Sequence, residues 1–364
     1  MPLLHRLKST AKDLLAIRRV RRAYEGTNRA FLETFGSNRT LTHLFFTVSF
    51  LTFNREQSAT LRGRRNYYRN KNAHRLTRVE LRRNVHRLEK GLIMRPRRDV
   101  FARDYIDETI EFYESAVQQC RTAPGTSEVA EMDWAHNVVE AYFEAVPEGR
   151  DPVVDAARRR FHELGHEPTS RGAVPRPKRS LSDVSYDQLS ALAEQRRSVR
   201  FFEQRPVPRE DVDKALLVAR QAPTACNRSP YEFRVFDDPE MVRTVAGIPF
   251  GAAGYADNIP TIVVVVGKLE SYFSPRDRHA VYVDASLASM SFLLALETLG
   301  LSSSVINWPD FEPLERTMQK TLGLDLSDRV VMLIAVGYAH PEGLVPYSQK
   351  KDLDTFRSYD RLAP

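Results

Sequence analysis

Three guanidiniums and a hydroxyl fall within five positions at Arg196, Arg197, Ser198 and Arg200. Arginine presents a planar fork of donors that stays charged at any working pH, and serine adds a small donor, so such a run suits a phosphate group. A solvated basic turn is the plainer reading of the same residues. A second chemistry-bearing stretch is Pro223-Thr224-Ala225-Cys226-Asn227-Arg228-Ser229-Pro230-Tyr231. Short, polar and bounded by prolines, it reads as a stiff loop able to hold amide and hydroxyl groups ready for a planar polar ligand. Cys226 has no histidine near it in sequence and reads as a small packing residue rather than a reactive thiol. A third stretch, His162-Glu163-Leu164-Gly165-His166, has two histidines at i and i+4 around a glutamate, the spacing of a helical zinc site. Gly165 weakens that helix, Pro168 ends it, and the sequence nominates no third ligand, so a surface helix terminus competes with zinc hydrolysis.

The elements that must position these residues differ between the two halves. Leu189, Leu192 and Ala193 have helical spacing just before the arginine run, and Pro206 and Pro208 follow it, so a helix ends there and the chain turns extended. Beyond it, apolar periodicity predicts helices over 207–221 and 280–300 and strands over 232–236, 261–267, 301–306 and 330–336. The first half has few strand signals. A basic amphipathic helix is expected around Leu14, Leu15, Ile17 and Val20, among Lys12, Arg18, Arg19, Arg21 and Arg22. The run 41–53, with Leu44, Phe45, Phe46, Phe50, Leu51 and Phe53, is too short to cross a bilayer. It suits a helical core or, flanked by Arg39 and Arg55, a segment lying on an anionic membrane surface. Helices are expected over 101–120 and 128–143, broken at Ala123-Pro124-Gly125, and Gly91 is placed to terminate the helix before them. Residues 170–185, rich in Gly, Pro and basic side chains near their start, read as a linker between a helical region at 1–169 and a second domain at 186–364.

Composition narrows the function classes. Of 364 residues, 42% are hydrophobic and 28% charged, a globular balance. The net charge of +7 is uneven: residues 1–98 hold 24 Lys/Arg against 6 Asp/Glu, a balance of +18, and the remainder carries −11. Tyr67 and Tyr68 among Arg62, Arg64, Arg65, Arg69 and Lys71 are compatible with single-stranded nucleic acid, but no nucleic-acid motif accompanies them and no specific nucleic acid is expected. An anionic substrate or a membrane surface remains a use for this basic region. Cys120 and Cys226 show no pairing pattern, and no leader or membrane span is evident, so a cytoplasmic protein is expected.

Taken in order, the Arg-Arg-Ser-x-Arg run, a helix ending at Ala222-Pro223, the Asn227-x-x-Pro230-Tyr231 loop and a following strand resemble the nitroreductase family of flavin enzymes, over roughly residues 186–360. The resemblance implies an α+β fold, a central mostly antiparallel sheet flanked by helices, dimeric, with one FMN at each subunit interface and an all-helical region preceding it. It implies that Arg196, Ser198 and Arg200, with Arg197 alongside, hold the phosphate, ribityl chain and polar ring edge. Pro223, Thr224, Ala225 and Asn227 would reach the partner's flavin, with Ser229 where the family often has glutamine. Ile306, Asn307 and Trp308 would lie along the ring, and Lys350, with Lys351, would replace the family's phosphate-binding arginine in the tail. The activity implied is hydride transfer from NAD(P)H to the flavin and onward to an unidentified small-molecule acceptor, with no side chain as general acid or nucleophile. A docking protein on an inert flavin scaffold is the rival from another class.

Overall fold

Four strands form one sheet, the two central ones rich in β-branched residues: β1 (Tyr231–Phe236), β2 (Thr261–Lys268), β3 (Ser302–Asn307) and β4 (Asp328–Gly337), in the order β1-β2-β4-β3 with every pairing antiparallel. The computed structural model describes residues 17–48, 53–72, 77–122, 126–172, 174–175, 181–360 and 362. Leu14, Leu15, Phe50, Leu51 and the break at Ala123-Pro124-Gly125 lie outside them.

Strand β2 is buried almost throughout because both faces of the sheet are covered, which is why its sequence reads as an unbroken apolar run. Side chains alternate along it. Val263 and Val265 join a core with helices α9 (Arg209–Ala219) and α11 (Ala280–Thr298). Ile262, Val264 and Val266 face a second core that includes Val242 and Val245 of α10 (Pro239–Ala246). Gly267 allows α11 to approach, since a Cβ there would lie 2.8 Å from Val281 Cβ. Helix α8 (Tyr186–Gln195) opens on a capping box between Ser185 and Gln188, and its end delivers the arginine run. The fold is α+β with a helical N-terminal region, as expected.

Seven helices among the described residues precede α8. Helices α1 (Arg18–Phe35) and α2 (Arg39–Val48) form a hairpin turned at Gly36 and capped by Asn38, whose Oδ1 accepts from Leu41 N at 3.0 Å. The hairpin belongs to a compact unit of residues 1–57 with 310–312; residues 58–309 and 313–364 form the other unit. In that second unit, α4 (Thr77–Leu92), α5 (Ile106–Thr122), α6 (Thr126–Ala145) and α7 (Pro152–Glu163) enclose Leu81, Val85, Ile110, Tyr113, Val138 and Phe161. Gly91 does not end its helix. Helix α4 continues to Leu92, and the missing Cβ makes room for the Phe101 ring. Helix α5 starts at Ile106 and not at 101, after Ala102 takes a left-handed φ of 61°.

Helix α3 (Asn54–Asn72) crosses from the first unit into the second. Within the second, Arg62 pairs with Asp325 (Nη2 to Oδ2, 3.1 Å), Arg64 Nε donates to Phe273 O at 3.1 Å, and Gly63 lies against Leu269. Residues 58–169 therefore pack with the sheet half of the chain instead of standing apart from it.

Candidate functional site

Val199 N donates to Ser303 O at 3.0 Å, and Ser198 bridges Ser303 in parallel. Strand β3 is the edge of the sheet, so this pairing lays the arginine run along that edge, close to where β3 delivers Ile306 and Asn307 and the chain passes on to Trp308. Arg196, Arg197 and Ser198 are half-buried; Arg200 is exposed and its Nη1 donates to Ser198 O at 3.4 Å. At the bridge itself the Ser303 hydroxyl is buried without a partner. The cluster is thus paired to the start of β3, three residues before Ile306. Ile306 and Trp308 turn their side chains into the core, 1% and 7% exposed, and Trp308 Nε1 donates to Glu315 Oε1 at 2.7 Å. They offer a ligand main-chain atoms only, whereas the Asn307 side chain is exposed.

The Pro223–Pro230 loop is held by residues that sequence reasoning missed. Cys226, Asn227 and Ser229 adopt left-handed φ values of 55°, 54° and 49°, each at a cost of roughly 1 kcal/mol for a residue with a Cβ. Surrounding contacts sustain the shape. Ala225 N donates to Asp284 Oδ2 at 2.9 Å, Ser229 N to Thr224 Oγ1 at 3.1 Å, and Arg82 Nε of α4 to Asn227 O at 2.9 Å. Arg228, buried, donates to Ala225 O and lies 5.1 Å over the Tyr272 ring, whose hydroxyl donates to Asp284 Oδ2. Burial pushes the Asp284 carboxyl up, against the opposing pull of Ala225 N–H, the Tyr272 hydroxyl and Arg228. The signal for Asp284 was present: it is the one charge in the first seventeen residues of an otherwise apolar helix.

Helix α11 measures the distance between loop and cluster. Asp284, near its start, holds Ala225. Glu297, near its end, accepts from Gln195 Nε2 at 3.2 Å; burial raises its carboxyl pKa, with the Gln195 hydrogen bond and the Arg196 charge pulling more weakly the other way. At 1.5 Å rise per residue these anchor points are about 20 Å apart. Starting beside Asp284 and running toward Glu297, Val283, Leu287 and Met290 present an exposed apolar stripe at i, i+4 and i+7.

Lys350 and Lys351 lie exposed in an irregular tail, and among the described residues no hydrogen bond or ion pair joins them to the arginine run. The zinc reading is corrected. Helix α7 ends at Glu163, so His162 and His166 do not share a helical face. His166 instead packs 5.8 Å from the His136 ring, which shares a 2.8 Å hydrogen bond with Tyr113 Oη, and burial lowers the pKa of both histidines. No group of three His, Cys, Asp or Glu among the described residues is arranged to hold a metal.

The sequence model of the Nitroreductase family matches residues 193–252 and 248–338. A protein named "Putative NADH dehydrogenase/NAD(P)H nitroreductase" from Methanothermobacter thermautotrophicus is 31% identical over 164 residues, covering 44% of this chain and 74% of that protein. The chain belongs to the nitroreductase family. It is also 25% identical over 191 residues to iodotyrosine deiodinase 1 of Pongo abelii, covering 45% of this chain and 65% of that protein. An FMN-dependent nitroreductase structure from Clostridium difficile aligns with a TM-score of 0.41 at 22% identity, over 47% of this chain and 98% of the other. In this nitroreductase-family chain the matched segments contain the arginine run, the loop and the end of β3, while Arg82, which grips the loop, lies before them and Lys350 after them.

Proposed function

We propose that the chain is an FMN-dependent oxidoreductase that draws reducing equivalents from NAD(P)H, passes them to a small-molecule acceptor, and works as a homodimer. The observation that carries this is the placing of two polar donor sets at opposite ends of α11 with an apolar stripe along it. Groups about 20 Å apart on one rigid helix do not converge within a chain. A twofold-related copy, packed stripe to stripe and antiparallel, brings the loop of one chain to the cluster of the other. Exposed Leu344, Tyr347, Phe356 and Tyr359 in the tail add apolar surface that such a partner would cover.

The residues suit FMN. Arg196 and Arg197, with Ser198, present forked donors to a phosphate, and Arg200 can stabilise negative charge at a polar ring edge. The main chain at Ile306 and Trp308 and the Asn307 side chain border the ring position. The second copy would supply Pro223, Thr224, Ala225, Asn227 and Ser229, with Lys350 and Lys351 reaching in from a tail. When bound, FMN would supply a ring that takes hydride from a nicotinamide and yields electrons to the acceptor. The protein's own part is to orient that ring, hold it dry beneath the paired stripes, and supply positive charge. Both cysteines are free thiols, which supports a cytoplasmic setting.

The test is the absorption spectrum of the purified protein, followed by anaerobic mixing with NADH and with NADPH and a light-scattering mass. Flavin absorption that bleaches with one nicotinamide, at twice 41.7 kDa, is expected. Protein that neither carries nor takes up FMN would overturn the cofactor assignment. Bound flavin that no nicotinamide bleaches would leave a scaffold and remove the enzyme.

A further inference from the structure

Helix α1 has a polarity that nothing in its own hairpin satisfies. At 100° per residue, Val20, Tyr24, Thr27, Phe31 and Phe35 fall within one arc, flanked by Arg19 on one side and Arg21 on the other, with Arg22, Glu25, Arg29 and Glu33 opposite. Helix α2 covers only one end of that arc, where the Phe45 ring lies 5.8 Å from Phe31 and 5.6 Å from Phe35. Val20, Tyr24, Phe31 and Leu32 of α1 and Leu44 of α2 remain 39% to 58% exposed. Residues 17–48 hold six arginines and two glutamates. Both glutamates are engaged at i,i+4, Glu25 with Arg21 and Glu33 with Arg29. The hairpin therefore presents an apolar face rimmed by excess positive charge.

We infer that this hairpin docks the protein on an anionic lipid surface, α1 lying in the plane of the interface. Such a surface meets both halves of the pattern: headgroup charge meets the flanking Arg19 and Arg21, and the acyl boundary takes the Val20, Tyr24 and Phe31 arc. A second copy of the hairpin would bring those arginines against their own kind. A nucleic-acid strand would pair with the arginines and leave the apolar arc in water. Neither meets both requirements.

The test is co-sedimentation of the full-length protein with vesicles of phosphatidylcholine alone and of phosphatidylcholine with phosphatidylserine. Preferential binding to the anionic vesicles, weakened by added salt, is expected. A basic residue beside an anionic surface contributes about fivefold in partitioning, so R19Q/R21Q should bind roughly twenty-five-fold more weakly. V20S/Y24S/F31S should remain in the supernatant. Should that variant lose helix by circular dichroism, the glutamine variant, which keeps good helix formers at each position, decides. Wild-type protein that ignores the anionic vesicles, or a glutamine variant that binds them equally, overturns the inference. So does capture by a single-stranded oligonucleotide that anionic vesicles fail to displace, or self-association abolished by V20S/Y24S/F31S without vesicle binding. None of these readouts uses the flavin, so they stand or fall apart from the oxidoreductase proposal.

Discussion

Replacing Asp325 with Asn tests whether the helical layer is an integral part of the sheet unit. The carboxylate receives Arg62 through Nε and Nη2 at 3.4 and 3.1 Å, Asn66 Nδ2 at 3.1 Å, and the Ser327 amide and hydroxyl at 2.9 and 2.7 Å. Burial pushes its pKa upward, but the Arg62 and Ser327 contacts outweigh that and hold it down to about 2. A depression of that size from the ordinary 3.8 corresponds to roughly 2.4 kcal/mol of folding free energy. With the side chain 37% exposed, solvent screening reduces this to about 1 kcal/mol. Because the folded carboxyl is depressed, the stabilisation is fully present above pH ~4 and is lost as pH falls toward 2, about half of it gone by pH 3. Urea unfolding of wild type and D325N at pH 7 and pH 3 measures it. A gap of about 1 kcal/mol at pH 7 that shrinks at pH 3 is expected. No gap at pH 7, or an equal gap at both, would refute the reasoning.

Three further outcomes are expected. Arg196→Ala removes a charge-assisted contact to the proposed phosphate and should weaken FMN binding by about 1.5 to 3 kcal/mol, tenfold to a hundredfold, in a fluorescence titration of flavin-free protein. Asp284→Asn keeps an oxygen for Ala225 N–H and the Tyr272 hydroxyl but removes a buried charge. Since burial raises the folded carboxyl, wild type loses stability as pH climbs through and above the carboxylate range. The variant's relative stability should accordingly increase as pH rises from 3 through the carboxylate range to 7 in denaturant melts, and a flat difference would count against that account. Gly63→Ala would set a Cβ 2.8 Å from Leu269 Cβ and should cost about 1 to 3 kcal/mol by thermal or urea melt.

What the sequence disclosed, and what it withheld, follows from range. Continuous apolar runs located β2 and β4 to within a residue or two, because strands buried on both faces must read that way. The arginine run and the proline-bounded loop were legible as donor sets from residue type alone. Contacts between distant segments were not. Arg82 and Asn227 are 145 residues apart, and Arg62 and Asp325 are 263 apart, so neither pair leaves a periodic trace. Composition separated the basic helices from the sheet half, although residues 58–169 pack with it. Gly91 misled for a related reason: a glycine that ends a helix and one that admits a ring from the next loop look alike in one dimension. That the Ile306 and Trp308 side chains sit in the core, leaving only Asn307 outward, was likewise not written in the residue types.

The spacing along α11 carries a genetic consequence. If each active centre draws its arginines from one polypeptide and its loop from the other, two defective alleles need not yield only defective enzyme. A dimer joining an Arg196 mutant to a loop mutant would gather both lesions into one centre and leave the other whole, so random mixing would restore roughly a quarter of the centres. Co-expression of two individually dead genes would then rescue activity, as no self-contained monomeric enzyme allows.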